Sequence, residues 1–277
     1  MCKKITVTQT VRVVATMLVA ITVVIPILWL VVSAFKTDSG VISYPPRFFP
    51  EEWTLDQFKY VTDSIPIFRM LGNTLIFAGS TTIISILFDS MAGYAFARMN
   101  FKGKKVIFSI ILLTMMIPFQ IIMTPLYIEE YKMNLLDNFL GLIFPRATSA
   151  YGIYMMTSFF QGLPKSIEES GRMDGMGEFR IYWSLMLPLC KPAVLSLAIF
   201  HFMNNWNDLL YPLMLTSSAD MRTLSAGLAV LVGNKVIKYG PTLAATLIAV
   251  LPLLVLYIFL QKYFVEGIAV GGEKEQE

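Results

Sequence analysis

Charge is what this sequence has least of. Of 277 residues, 15% are Asp, Glu, Lys or Arg, against about 25% in an ordinary soluble domain. A soluble protein of this length needs charge over most of its surface. Much of this surface therefore faces something other than water. Cysteine is nearly absent, with Cys2 and Cys190 alone, which excludes a disulfide framework. Cys2 follows Met1 with no apolar leader and reads as an incidental thiol rather than a lipid anchor. One histidine, His201, and no Cys/His cluster leave no metal site indicated. No G-x-x-x-x-G-K-[ST] run is present, so there is no phosphate cradle for a nucleotide. No Ser-His-Asp arrangement is suggested, and carboxylates are scarce in the apolar runs, so the chain reads as a non-enzyme. The net charge of +3 is too small to point to nucleic acid. At 56% hydrophobic, the composition excludes disorder.

What the sequence has is long apolar runs. A bilayer core about 30 Å thick needs roughly 20 residues of helix. Val13–Phe35, Met70–Phe88, Val106–Ile128 and Tyr239–Gln261 meet this without a charge, and the second extends past Asp89 to Ala97. Asn138–Pro164, carrying Arg146, and Pro192–Ala219, carrying Asp208, are each interrupted by one charge. The first run is too long for a signal peptide's apolar segment. The reading is an all-α membrane protein of six transmembrane helices, which satisfies every backbone group internally. Residues 1–12 form the N-terminal segment, 13–263 the membrane domain and 264–277 a C-terminal tail, polar from Gly271 on and acidic through Glu273, Glu275 and Glu277. With both termini cytoplasmic, thirteen basic residues fall on the inside and eight on the outside. The short Arg98–Lys105 loop, with four basic and no acidic residues, favours the same orientation.

Two connections stand out. Residues 36–69 contain Tyr44-Pro45-Pro46, Pro50 and a Trp53-Thr54-Leu55-Asp56 run. They read as an ordered extracellular excursion, with a short helix capped by Thr54 and Gln57. The outer connection around Leu224–Val232 is apolar enough to dip along the surface. On the cytoplasmic side, residues 164–191 hold the densest block of inner charge. Ser166 and Glu169 have capping-box spacing, and Glu168 and Arg172 are an i,i+4 pair of opposite sign. Asp174-Gly175 is a turn signal. Phe179, Tyr182, Trp183 and Met186 predict one apolar face of a second helix, which Pro188 ends. Ser170 and Gly171 are small, so the first helix suits a groove on a soluble partner.

This loop resembles the EAA motif of ABC importer permeases, with pattern E-A-A, three residues, G, nine residues, I-x-L-P. Here it reads Glu169-Ser170-Gly171, Gly175 and Leu185-Met186-Leu187-Pro188. Both alanines are replaced by small residues and Ile by Leu. Asn73-Thr74-Leu75, Ala92 to Arg98, Met116-Ile117-Pro118, Trp206-Asn207-Asp208, Tyr211-Pro212-Leu213 and Gln261 to Ile268 are similar to the carbohydrate branch, which includes maltose, arabino-oligosaccharide, raffinose and multiple-sugar permeases. The resemblance implies a type I ABC importer permease fold in a bacterial inner membrane. It implies a second permease subunit, two ATPase subunits that bind ATP and magnesium, and an extracellular solute-binding protein. No cofactor is expected on this chain. The resemblance assigns ATPase coupling to Glu169, Ser170, Gly171, Asp174, Gly175, Leu187 and Pro188, and sugar import, an oligosaccharide above all, to the whole. It also suggests contact of the tail with the ATPases, against a frayed terminus.

Polar residues within the spans carry two readings each. Arg146 and Asp208 lie at similar depth and are a candidate ion pair, since isolated intramembrane charges are costly. For Asp89, Arg98 is a candidate partner, and solvation in a pathway is the other. Asn204, Asn205, Trp206, Asn207 and Asp208 have the side chains of a sugar pathway, but amides also join membrane helices. Two alternatives stay open: a permease for glycerol-3-phosphate or another polyol-like solute, favoured by extra basic residues along the pathway, and a non-transporting membrane scaffold, which would not need the spaced loop.

Overall fold

A computed structural model describes the backbone of residues 7–233 and 238–272, and side chains over 11–233 and 238–258. Cys2 and residues 273–277 of the expected acidic tail lie outside the described residues. Among the described residues the chain is all-helical. It forms two compact units, one from the described residues up to 67 with 228–251, the other from 68–227 with those from 252 onward.

In the first unit, α1 spans Val7–Ser33 and is an uninterrupted apolar rod past Arg12. The excursion after it is ordered by backbone satisfaction rather than by bulk. Lys36 is buried, donates from Nζ to the Arg47 carbonyl at 2.6 Å and lies over the Trp29 ring at 4.3 Å. Thr37 caps the short α2, Asp38–Val41, by accepting from Gly40 N at 3.1 Å. The helix expected near Thr54 is α3, Asp56–Ser64, but it lacks the capping box. Thr54 Oγ1 accepts from Asp56 N at 3.0 Å, whereas Gln57 turns away and donates to the Lys36 carbonyl at 3.2 Å. Satisfying that buried carbonyl outweighs a second cap on an exposed helix end.

The second unit is organised along α4, Ile67–Arg98, which is continuous through Asp89 as expected. The third apolar run is not one helix. α5, Lys104–Thr114, and α6, Phe119–Lys132, meet at 98°. Pro118 has no N–H to continue α5 and serves as the first cap of α6. The fourth run is also broken: α7 is Phe139–Ile143, a 3₁₀ turn covers Phe144–Arg146, and α8 is Ala150–Gln161. Pro145 interrupts the first piece, and Ser149 starts the next by accepting from Gly152 N at 2.9 Å.

The cytoplasmic loop of the sequence reading becomes α9, Ser166–Met173, and α10, Glu178–Ile181, followed by a π-helical turn over Tyr182–Met186 and α11, Leu187–Leu189. Pro188 therefore does not end the second helix; it sits at the start of α11, where no N–H is needed. The chain bends by 81° at Cys190 into α12, Lys191–Trp206. The expected run to Ala219 divides there, and α13, Leu210–Leu215, follows. The apolar outer segment is a helix, α14, Leu224–Val232. α15, Tyr239–Gly272, begins where the sequence placed it and runs on through 264–272, part of the expected tail.

Three of these helices are long and apolar enough to cross a membrane alone, and the two bent pairs raise the number to five among the described residues. Residues 138–164 form no such helix, although they track α4 closely. Leu142 shares a buried cluster with Phe77, Ser85 Oγ donates to the Arg146 carbonyl, and Gly93 packs on Met156 and Thr157. Arg98 reaches the carbonyls of Phe160 and Leu163. The two segments run side by side in the same direction.

Candidate functional site

The loop after α8 is held against the end of α4 by a ring of charges. Arg98 Nε and Glu168 Oε1 lie 2.8 Å apart, with both side chains 5% exposed. Arg98 Nη2 also donates to the carbonyls of Phe160 and Leu163, each at 2.5 Å, and so places a cation at the C-terminus of α8. Glu168 pairs on its other side with Arg172 at 3.5 Å, the i,i+4 pair read from the sequence. Arg172 Nε donates to Glu178 Oε1 at 2.8 Å, and Tyr94 OH donates to Glu178 Oε2 at 3.0 Å. Tyr94 and Arg98 are one turn apart on α4, so the ring closes on that helix. The Arg172 hydrogen bond holds the Glu178 carboxyl below the usual glutamate range and raises the guanidinium in turn.

Beneath the ring lies an apolar cluster of Tyr94, Met156, Phe160, Ile181, Tyr182, Met186 and Cys190. Phe179 and Trp183, expected on the buried face, are exposed instead at 67% and 53%. Ile181, Tyr182 and Met186 face inward, with Leu185 half-buried beside them, a stripe shifted in helical phase from the expected one. The turn between the two helices is a Schellman closure. Gly175 adopts φ +76° and donates to the Arg172 carbonyl at 3.0 Å, and Met176 N donates to the Gly171 carbonyl at 2.9 Å.

The resemblance-derived residues divide by face. Glu169, Ser170, Asp174, Gly175 and Pro188 are exposed, whereas Gly171 is buried and Leu187 half-buried. The smallness of Gly171 is used within the chain, because a side chain there would meet Leu185 and Ile181. The Ser166–Glu169 capping box is absent. Lys165 already has helical angles, and its carbonyl accepts from Glu168 N and Glu169 N, so Ser166 lies inside the helix and makes no cap. Sequence reasoning missed Arg98, Glu168 and Tyr94 as clamp residues; the single basic side chain closing α4 was the available signal.

A second feature lies between α6, the 3₁₀ turn, the start of α8 and the end of α12. A cavity of about 460 Å³ is lined by Phe119, Glu129, Arg146, His201, Asn204 and Tyr211, among others. Arg146 and Asp208 form an ion pair, and the Arg146 guanidinium lies over the Tyr211 ring at 4.3 Å and the Phe119 ring at 5.7 Å. Asn205 lines the cavity yet is buried, and its Nδ2 donates to the His201 carbonyl at 2.9 Å. Trp206 is buried, and Asn207 is spent on the Met203 carbonyl at 2.8 Å. Asp89 does not pair with Arg98. Its carboxylate is fully buried and accepts from Thr148 Oγ1 at 2.6 Å and Ser149 N at 2.8 Å, with His201 Nε2 at 2.9 Å. Arg98 lies more than two helical turns further along α4 and is held by Glu168. The Asp89–His201 contact spans 112 residues of sequence, and local spacing carries no trace of it.

Residues 89–270 match the family model described as binding-protein-dependent transport system inner membrane component. The arabinooligosaccharides transport system permease protein AraQ of Halalkalibacterium halodurans is 34% identical over 259 residues, covering 92% of this chain and 93% of that one. The maltodextrin transport system permease protein MdxG of Bacillus subtilis is 32% identical over 260 residues, covering 93% of each. A solved bacterial ABC transporter involved in import of the acidic polysaccharide alginate has a chain of the same fold, with TM-score 0.81, 23% identity, and 92% and 95% of the two chains covered.

Proposed function

Since the chain belongs to the binding-protein-dependent transport system inner membrane component family, we propose that it is the permease subunit of an ATP-binding-cassette importer that brings an oligosaccharide into a bacterial cell across its cytoplasmic membrane. It is a transport subunit and not an enzyme. ATP and magnesium bind to separate ATPase chains. A second permease subunit completes the pathway, and an extracellular solute-binding protein delivers the sugar.

The observation that carries this reading is the two-faced loop. Its inner face is clamped to α4 by Glu168, Arg172 and Glu178, and its outer face presents Glu169, Ser170 and Met173. A helix so fixed transmits displacement instead of bending. When ATP closes the ATPases, α9 is carried with them and α4 follows, so the membrane helices rock between inward-open and outward-open. Glu169 anchors the partner contact, and Gly175 sets the angle of the second helix.

Six crossings with both termini in the cytoplasm complete the reading, residues 138–164 crossing as a broken segment. Its support is the parallel track along α4 from Phe77 to Arg98. That track is about 32 Å at 1.5 Å per residue, enough for a bilayer core of about 30 Å.

The test is ATP-dependent uptake by the assembled transporter in proteoliposomes, with the solute-binding protein present. Wild type takes up arabino- or malto-oligosaccharide. Glu169→Lys and Gly175→Pro assemble in the membrane but lose uptake. Normal uptake by both variants overturns the coupling role, and no oligosaccharide uptake by wild type overturns the substrate class.

A further inference from the structure

The cavity beside Arg146 has a chemistry more specific than polarity. Among the described residues that line it, Arg146 carries the one guanidinium, and that charge is paired with Asp208 and covered by the Tyr211 and Phe119 rings. His201 faces the cavity with its Nε2 committed to Asp89, and Thr148 is committed to the same carboxylate. Among the described residues, two exposed lining side chains make no hydrogen bond or ion pair: Glu129 and Asn204. Among the described lining residues, the side chains left wholly free are thus one amide and one carboxylate, set beside two aromatic rings. The charge without an opposite partner among them is that of Glu129, and it is negative.

An anionic ligand gains little from a guanidinium already paired, and it is repelled by Glu129. A hydroxylated neutral ligand gains on each count. A carboxylate and an amide take up neighbouring hydroxyls in opposite senses, because the carboxylate only accepts and the amide does both. The rings cover an apolar sugar face. A volume of about 460 Å³ falls in the range of small-molecule sites and holds a small number of sugar units.

We propose that this cavity is a substrate subsite on the present subunit, which binds an uncharged sugar unit through Glu129 and Asn204 and rejects uronates and sugar phosphates. The proposal rests on the sugar-importer reading above and adds to it the ligand's charge and the two side chains that select it. It also argues against a glycerol-3-phosphate pathway, whose phosphate would need a free cation here.

The test uses the whole transporter, co-purified with its partner subunits in nanodiscs and without the solute-binding protein. Binding of maltotriose, arabinotriose, trigalacturonate and glucose-6-phosphate is measured by calorimetry on wild type, Asn204→Ala, Glu129→Gln and Glu129→Lys. Both side chains are exposed and unpartnered, so the variants are expected to assemble. At least one neutral trisaccharide binds wild type, and neither acidic probe does. Asn204→Ala weakens the neutral sugar roughly three- to tenfold, the loss of one hydrogen bond. Glu129→Lys admits trigalacturonate, and Glu129→Gln weakens the neutral sugar without admitting the acid. Equal binding of acidic and neutral sugars by wild type overturns the proposal, and so does neutral binding unchanged in Asn204→Ala and both Glu129 variants. If no probe binds any protein, the subsite falls. In either case normal oligosaccharide uptake in the proteoliposome assay leaves the importer reading standing, and its absence removes that reading separately.

Discussion

Glu168 and Glu169 are neighbours with opposite situations, and the difference is measurable. Glu168 faces the buried guanidinium of Arg98, whereas Glu169 faces solvent. Removing one partner of a buried pair strands the other, at a cost of about 3–5 kcal/mol. Glu168→Gln should therefore lower the thermal unfolding temperature of the detergent-solubilised transporter markedly. Glu169→Gln should leave it unchanged while impairing uptake. An Arg98→Met, Glu168→Met double variant should be less damaged than either single one, since no charge is left alone. Glu178 gives a pH dependence. Its carboxyl is held below the ordinary value of 4.5, so its contribution is complete above pH 4.5 and is lost as pH falls through the lower folded value. A scan of unfolding temperature from pH 6 to pH 3 should show a component below pH 4.5 that Glu178→Gln lacks. The component is small, because the side chain is 43% exposed and water screens the pair.

At the level of elements, α4 is the helix against which α8 and α9 are placed, and its glycines separate by role. A side chain at Gly93 would run into the backbone of Met156 and Thr157 on α8, whereas one at Gly79 would meet nothing within 4 Å. Gly79→Ala should stabilise by up to about 1 kcal/mol through helix propensity. Gly93→Ala should destabilise by about 1–3 kcal/mol despite the same gain, because the contact is overpacked. Unfolding of the two variants side by side checks this. The contrast also marks what the sequence disclosed. α4 was legible because its apolar run is long and holds no proline, and the start of α15 because Pro241 falls in the first turn, where a helix tolerates it. The Gly175 turn was legible because a reversal after Asp174 needs a residue that tolerates positive φ. The breaks at Pro118 and Pro145 were not, since run length counts hydropathy and a proline barely lowers it. The outward placement of Phe179 and Trp183 left no mark in the pattern, for a shift in helical phase is decided by packing. The Asp89–His201 and Arg98–Glu168 contacts join distant positions, and periodicity reports only near ones.

For the whole molecule, six crossings predict a pattern of surface labelling. In a Cys2→Ser, Cys190→Ser background, cysteines at Lys132 and Ser217 should react with an impermeant maleimide added to intact spheroplasts. Cysteines at Lys102 and Lys165 should react only after permeabilisation. If residues 138–164 do not cross, positions 132 and 165 will label alike, and the six-crossing topology fails. The Asp89 cage has one more consequence, which concerns time. Its hydroxyl and amide donors at Thr148 and Ser149 lie 59 and 60 residues further along the chain, and His201 lies 112 further. At synthesis rates of about 5–20 residues per second, α4 waits several seconds for the first donors and roughly 6–20 seconds for the imidazole. It is also the least apolar of the three continuous spans. The helix that organises this unit therefore enters the bilayer carrying a carboxyl whose neighbours have yet to be translated, and a ribosome that stalls before residue 148 leaves it in that state.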